Sequence, residues 1–231
     1  MKTQSIRFRG GVARVAAWHG QPDVASVALQ YRGAPSIPEI VQLIDELRSG
    51  GYRAVITNAL APGASLPFVD CGFAVRGRLH LLSHDFTALP GPGPTRRTRR
   101  ATTADRPSAL AVDAAAFDEF WKLDDVGLDQ AARATPRWHM RVTRGNPLVG
   151  YGLFGRAERV GYVQRLAVHP DAQGSGLGLA LLIDGLRWMR LRGARSAFVN
   201  TQDDNARALQ LYERAGFRRL PVGLCVLGRD L

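Results

Sequence analysis

The chain has 231 residues, 45% hydrophobic and 22% charged, enough apolar material for one large or two small packed cores and against disorder at large. Its formal charge of +11 divides into +3 for residues 1–90 and +8 for residues 91–231, and half of the latter lies in one run where Arg96, Arg97, Arg99, Arg100 and Arg106 face only Asp105. A local excess of this kind reads as a solvated strand and linker, or as a docking patch for an acidic protein partner, and argues against nucleic acid as the main ligand. No apolar run is long enough to span a bilayer and residues 1–7 lack a signal-peptide core, so a soluble, cytoplasmic protein without a membrane partner is expected.

Three short alternating segments, Ser5–Arg9, Val12–Trp18 and Val24–Tyr31, predict a meander of strands. Pro38 opens a helix in which Ile40, Val41, Ile44 and Leu47 share a face, and Gly50-Gly51 closes it. A strand at Arg53–Thr57, a short helix around Leu66–Cys71 and strand material from Phe73 to Leu82 follow. Cys71 and Cys225 stand far apart in apolar surroundings and read as buried free thiols, and the five histidines have no ligand spacing, so no metal is expected.

Residues 91–95 (Gly-Pro-Gly-Pro-Thr) form a linker by composition, dividing the chain into residues 1–90 and 96–231. Beyond it the arginine run predicts a first strand, then a helix through Leu110, Val112, Ala115 and Phe117. Phe120-Trp121 and Leu128–Ala134 complete a helical hairpin, and strands at His139–Thr143 and Leu148–Gly155 are joined at Arg144–Pro147. The strand Tyr162–Val168 then leads into Gln173-Gly174-Ser175-Gly176-Leu177-Gly178, and a helical pattern (Leu179, Leu182, Ile183, Leu186) leads out. Glycines let a backbone approach a ligand closely, and a helix N-terminus offers unpaired N–H groups, so this loop is a candidate pyrophosphate cradle. A further strand, Ser196–Thr201, precedes Asn205-Ala206-Arg207-Ala208-Leu209-Gln210-Leu211-Tyr212-Glu213-Arg214-Ala215-Gly216-Phe217.

The same order of elements recurs at both ends of the chain. Leu43–Arg48 corresponds to Leu182–Arg187, Gly51-Tyr52-Arg53 to Gly193-Ala194-Arg195, Asn58 to Asn200 and Cys71-Gly72-Phe73 to Ala215-Gly216-Phe217, at an offset drifting only from 139 to 144 residues. The N-terminal copy has Ala34-Pro35-Ser36-Ile37-Pro38-Glu39 in place of the glycine loop and Phe68 in place of Tyr212. Prolines donate no N–H and a carboxylate repels phosphate, so this copy reads as structural or as shaping an acceptor pocket.

Gln-x-x-Gly-x-Gly followed some thirty residues on by Asn-x-x-Ala-x-x-Leu-Tyr-Glu-x-x-Gly-Phe resembles the GCN5-related N-acetyltransferase (GNAT) superfamily, over residues 96–231. The resemblance implies an α+β (α/β) tandem fold: a mixed, mostly antiparallel sheet flanked by helices, with the N-terminal copy shortened. It implies acetyl transfer from acetyl-coenzyme A to a primary amine, either a protein N-terminus or a small molecule. It also assigns roles: the backbone of Leu166, Ala167 and Val168 pairs with the pantetheine arm, Gln173, Gly174, Ser175, Gly176, Leu177 and Gly178 hold the pyrophosphate, Asn205 contacts the cofactor, and Tyr212 is the general acid. The base is not assigned. Asn200 stands where a glutamate is often found, Gln164 and Arg165 offer no carboxylate, and Asp118, Glu119, Asp203 and Asp204 are the acids nearby. A non-catalytic acyl-coenzyme A sensor, or an interaction module using residues 96–106, are the rival readings.

Overall fold

A computed structural model describes residues 4–31, 33–87, 89 and 97–231. The 91–95 linker and Arg96 lie outside these described residues. In chain order the elements are β1 (Gln4–Phe8), β2 (Gly11–Trp18), β3 (Gln21–Tyr31), α1 (Ile37–Ser49), β4 (Ala54–Thr57), α2 (Pro62–Asp70) and β5 (Ala74–His84). They continue with β6 (Thr98–Arg100), α3 (Arg106–Ala116), α4 (Asp125–Arg133), β7 (Arg137–Thr143), β8 (Gly150–Ala157), β9 (Val160–Val168) and α5 (Leu177–Leu191). The last are β10 (Ser196–Gln202), α6 (Ala206–Arg214), β11 (Arg218–Arg219) and β12 (Leu224–Asp230).

Two compact units result, one comprising residues 1–81, 202–204 and 221–231, the other residues 82–201 and 205–220. Residues 221–231, which the sequence groups with the C-terminal domain, therefore sit in the first unit. The reason is strand pairing: β12 is antiparallel to both β4 and β5, giving the order β1-β2-β3-β4-β12-β5. The β1–β2–β3 meander is antiparallel and β3–β4 parallel, as a helical crossover requires. Helix α1 packs through Ile40, Leu43, Ile44 and Leu47, whereas Val41, assigned to that face by periodicity, is 46% exposed. Helix α2 starts at Pro62, four residues ahead of the expected start, because a proline fits the first turn of a helix. Cys71 and Cys225 are free and half-buried, not fully buried as the sequence suggests.

The second unit runs β6-β7-β8-β9-β10, antiparallel up to β9 and parallel between β9 and β10. Adjacent residues of a strand face opposite sides, and Leu153 and Phe154 on β8 separate two cores. Phe154 and Val163 pack with Leu182, Leu186 and Met189 of α5 and Tyr212 of α6. Leu153, Tyr151 and Ala167 pack with Ala109 and Val112 of α3 and Leu128 and Ala132 of α4.

His139 on β7 stacks on Trp188 of α5 at 5.2 Å, and burial together with the charges of Arg141, Arg100 and Arg192 pulls its pKa down to about 4 against the partial support of Asp184. A base whose folded pKa lies below its unfolded value near 6.5 contributes its full stability above pH 6.5 and loses it as pH falls toward 4. The melting temperature should accordingly drop by a few degrees more for the native chain than for His139→Gln between pH 7 and pH 4.5. Equal drops would remove His139 from the acid response.

Candidate functional site

The site begins where two strands part. β9 and β10 pair only at Val160, Gly161 and Tyr162 against Ser196, Ala197 and Phe198, yet β9 runs on to Val168 and β10 past Phe198. From Val163 onward the edge of β9 turned toward β10 lies beyond these pairs, a row of backbone groups suited to an extended amide-bearing ligand. Leu166, Ala167 and Val168 lie on this row and pair on their other edge with Gly152, Tyr151 and Gly150 of β8. A bulge interrupts that second ladder, with Phe154 opposite Val163 and Leu153 opposite Arg165, so Gln164 is the extra residue. It brings Arg165 onto the face covered by α3.

At the end of β9 the chain makes a 3-10 turn, Pro170–Ala172, and enters the glycine loop. Gly174 and Gly176 have φ of +79° and +83°, a left-handed conformation that other residues adopt only with strain. Gly176 is the N-cap of α5, and no side chain caps the helix. Its first N–H groups are left for another acceptor. The side chains of the loop hold its shape. Gln173 Nε2 donates to the Val168 carbonyl at 3.0 Å, its Oε1 accepts from Arg207 of α6, and Ser175 Oγ donates to the Ala172 carbonyl at 2.6 Å. Arg97 reaches in from the residue before β6 to donate to the Ser175 carbonyl at 2.6 Å. Leu177 and Gly178 form the first turn, and a side chain at Gly178 would press on Leu211.

The corresponding place in the first unit is closed. Ser36 caps α1, and both its N–H (2.9 Å) and hydroxyl (2.7 Å) donate to Glu39 Oε2, a complete capping box. Hydrogen bonds from Tyr31 and Ser36 hold the Glu39 carboxyl at a pKa of about 2, so it is ionised at any ordinary pH. Elsewhere the two units match. Phe68 meets Phe73 edge-on at 5.0 Å and Tyr212 meets Phe217 at 5.7 Å, each pair spanning a glycine (Gly72, Gly216) with positive φ and closed by a bond from the phenylalanine N–H to the carbonyl five residues back.

Tyr212 is 6% exposed and burial pushes its phenol well up, against a smaller downward pull from the charge of Arg165. Asn205 is the N-cap of α6, its Oδ1 accepting from the Ala208 N–H at 2.9 Å. The acids considered as bases are placed as follows. Asp118 accepts from the N–H groups of Phe120 and Trp121 in a tight turn, Glu119 pairs with Lys122 at the surface, and Asp203 and Asp204 belong to the first unit. Two arginines of the basic run have carboxylate partners, Arg99 on Asp105 and Arg106 on Asp125 and Asp129. Among the described residues no cluster of three His, Cys, Asp or Glu could hold a metal, and no helix is long and apolar enough to cross a membrane.

Sequence reasoning missed a buried carboxylate. Asp113 of α3 is fully buried, accepting from Tyr151 Oη (2.6 Å), the Leu123 N–H (2.6 Å) and Arg165 Nε and Nη2 (2.7 Å each). Arg165 also donates to the Trp121 carbonyl at 2.8 Å and lies 3.4 Å above the Phe117 ring. The signal was available, since Asp113 stands four residues after Ala109 on the apolar face of its helix.

Parted parallel strands ending in an uncapped, glycine-opened helix make a site for an extended, amide-bearing ligand with an anionic end. The sequence model of the acetyltransferase (GNAT) family matches residues 106–217, and the chain belongs to this superfamily, whose members draw their acetyl group from acetyl-coenzyme A. A mycothiol acetyltransferase of Amycolatopsis mediterranei is 30% identical over 205 residues, covering 78% of this chain and 66% of that protein. A GCN5-related N-acetyltransferase from Kribbella flavida superposes with a TM-score of 0.68 at 16% identity, over 99% of this chain and 89% of the other. A tandem GNAT protein from the clavulanic acid biosynthesis pathway superposes with a TM-score of 0.67 at 13% identity, over 96% and 79%.

Proposed function

We propose that the second unit binds acetyl-coenzyme A and transfers its acetyl group to a primary amine by direct attack in a ternary complex, and that the first unit is a degenerate copy of the same domain without a cofactor. The contrast between the two helix N-termini carries this reading: α5 is left uncapped behind Gly174 and Gly176, while α1 is filled by the Glu39 carboxylate. In this reading Gln173, Gly174, Ser175, Gly176, Leu177 and Gly178 receive the pyrophosphate, the β9 edge at Leu166–Val168 pairs with the pantetheine arm, and Asn205 orders α6 beside them. Gln173 acts mainly by tying the loop to β9 and α6. Tyr212 returns a proton to the leaving thiolate. The name of the Amycolatopsis relative supports a small-molecule amine over a protein N-terminus as acceptor. The tandem neighbour supports the reading of two copies.

A ligand that binds only the folded state raises its stability, by about 2.7 kcal/mol at a hundredfold excess over Kd, or roughly 5–10 °C for a chain of this size. Acetyl-coenzyme A should produce that shift, and a panel of small primary amines and free-N-terminus peptides should release thiol from it. No thermal shift at saturating acetyl-coenzyme A would sink the proposal. A shift with no thiol release from any amine would favour the sensor reading.

A further inference from the structure

If the cradle and the β9 edge are used as proposed, the cofactor's direction is fixed: pyrophosphate at residues 173–178, arm running back past Val168, Ala167 and Leu166, sulfur arriving at Arg165. We propose that Arg165 stabilises the coenzyme A thiolate, presenting its guanidinium to the sulfur, and so acts as a catalytic cation in a site that lacks a carboxylate at this place. This deepens the acetyltransferase reading and rests on it.

The guanidinium is built for such a task. Nε and Nη2 donate to Asp113 and Nη2 also to the Trp121 carbonyl, the guanidinium also reaches the Tyr151 hydroxyl, and the side chain keeps 12% of its surface open. The Phe117 ring beneath it and the two anchored nitrogens leave it little freedom, so no reorganisation is needed when charge develops. Asp113 does not cancel it fully, since its carboxylate is shared with Tyr151 Oη and the Leu123 N–H and occupies only the Nε–Nη2 edge of the guanidinium. The groups facing the cation are Asp113 from α3, Tyr151 from β8 and Tyr212 from α6. Tyr151 is held protonated by burial and by Asp113, and the charge of Arg165 is felt at Tyr212, the proposed acid for the same sulfur.

In the reaction the amine nitrogen bonds to the thioester carbon, the C–S bond breaks and its electron pair stays on sulfur. The resulting thiolate is held beside the guanidinium and takes a proton from Tyr212 only as it leaves that contact, and the surplus amine proton leaves to water, from which the phenol is reprotonated. A cation beside the sulfur lowers the cost of the C–S cleavage step, and in a dry site that effect is much larger than in water.

Free coenzyme A and acetyl-coenzyme A differ only at sulfur, so the ratio of their dissociation constants isolates this contact. Both are measured by titration calorimetry on the full chain from pH 6.5 to 9. If Arg165 favours the thiolate, the bound thiol ionises below its ordinary range near 8.5, and coenzyme A tightens against acetyl-coenzyme A by about tenfold per pH unit between the two values. Arg165→Lys, which keeps the charge and Asp113's partner, should retain part of that slope. Arg165→Gln combined with Asp113→Asn should abolish it, the ratio cancelling any change in affinity that the two ligands share. A flat ratio in the native chain, read where acetyl-coenzyme A binds normally, overturns the proposal and leaves the acetyltransferase reading standing, as does an unchanged slope in the folded double variant. Absence of acetyl-coenzyme A binding overturns both. The native slope needs no variant, so a misfolded substitution does not protect the idea.

Discussion

Tyr212→Phe should lower kcat for thiol release by about 10²- to 10⁴-fold, the usual worth of a positioned acid, while the dissociation constant for acetyl-coenzyme A changes by less than about twofold. The ring sits in the core with Leu182, Leu186, Val199 and Phe217, so its loss would damage the fold, but phenylalanine keeps the ring and removes only the hydroxyl. The first unit contains the natural precedent: Phe68 occupies the matching place, fully buried and edge-on to Phe73 in the same turn. Burial raises the phenol pKa, so Tyr212 remains protonated throughout the neutral and mildly alkaline range and can donate to a thiolate formed beside it. Steady-state kinetics with the best amine of the panel, together with calorimetry for the cofactor, separate the two quantities. An undiminished kcat would reduce Tyr212 to a core aromatic, and a matched loss of binding would mean that the hydroxyl holds the cofactor.

The parts of this architecture that were legible in the sequence are those encoded locally. Gly174 and Gly176 announce a left-handed loop because glycine adopts it without strain, and Asn205 announces the start of α6 because its side chain caps the helix at the Ala208 N–H. The repeat was visible for the same reason: Gly72-Phe73 and Gly216-Phe217 end their helices through identical local bonds. What escaped is encoded by contacts between distant residues. Nothing in Leu224–Asp230 says that it pairs with Ala54–Thr57 and Ala74–Leu79, because an apolar strand fits any edge of matching pattern. The bulge at Gln164 depends on β8 across the ladder, and it decides that Arg165 meets α3. Asp113 and Arg165, 52 residues apart, each look like an isolated charge among apolar neighbours until the fold joins them. Val41 was misplaced because periodicity gives the apolar arc of a helix but not which of its edges the neighbouring strands cover.

That pair supplies the largest expected effect on stability. Asp113→Ala should destabilise the protein by about 3–5 kcal/mol, the cost of leaving a buried charge without its partner, which for a chain of this size is a loss of roughly 6–20 °C in melting temperature. The carboxylate is wholly buried, and removing it strands three groups at once: the Arg165 guanidinium, the Tyr151 hydroxyl and the Leu123 N–H that closes the turn after α3. Two of these are neutral and find other partners or water at modest cost, so the guanidinium dominates the loss. The double variant Asp113→Leu with Arg165→Met tests this directly, because apolar residues of similar volume remove the charge that the single variant leaves stranded. Urea unfolding should place the double variant closer to the native chain than Asp113→Ala, a coupling of 2 kcal/mol or more by the order of magnitude expected for charges sharing one buried network. If the two substitutions were additive, the ion pair would hold no special place in the core, and Arg165 could not be regarded as a fixed cation. If they couple as expected, the double variant folds without its cation, and its turnover then measures what Arg165 contributes to chemistry apart from what it contributes to the fold.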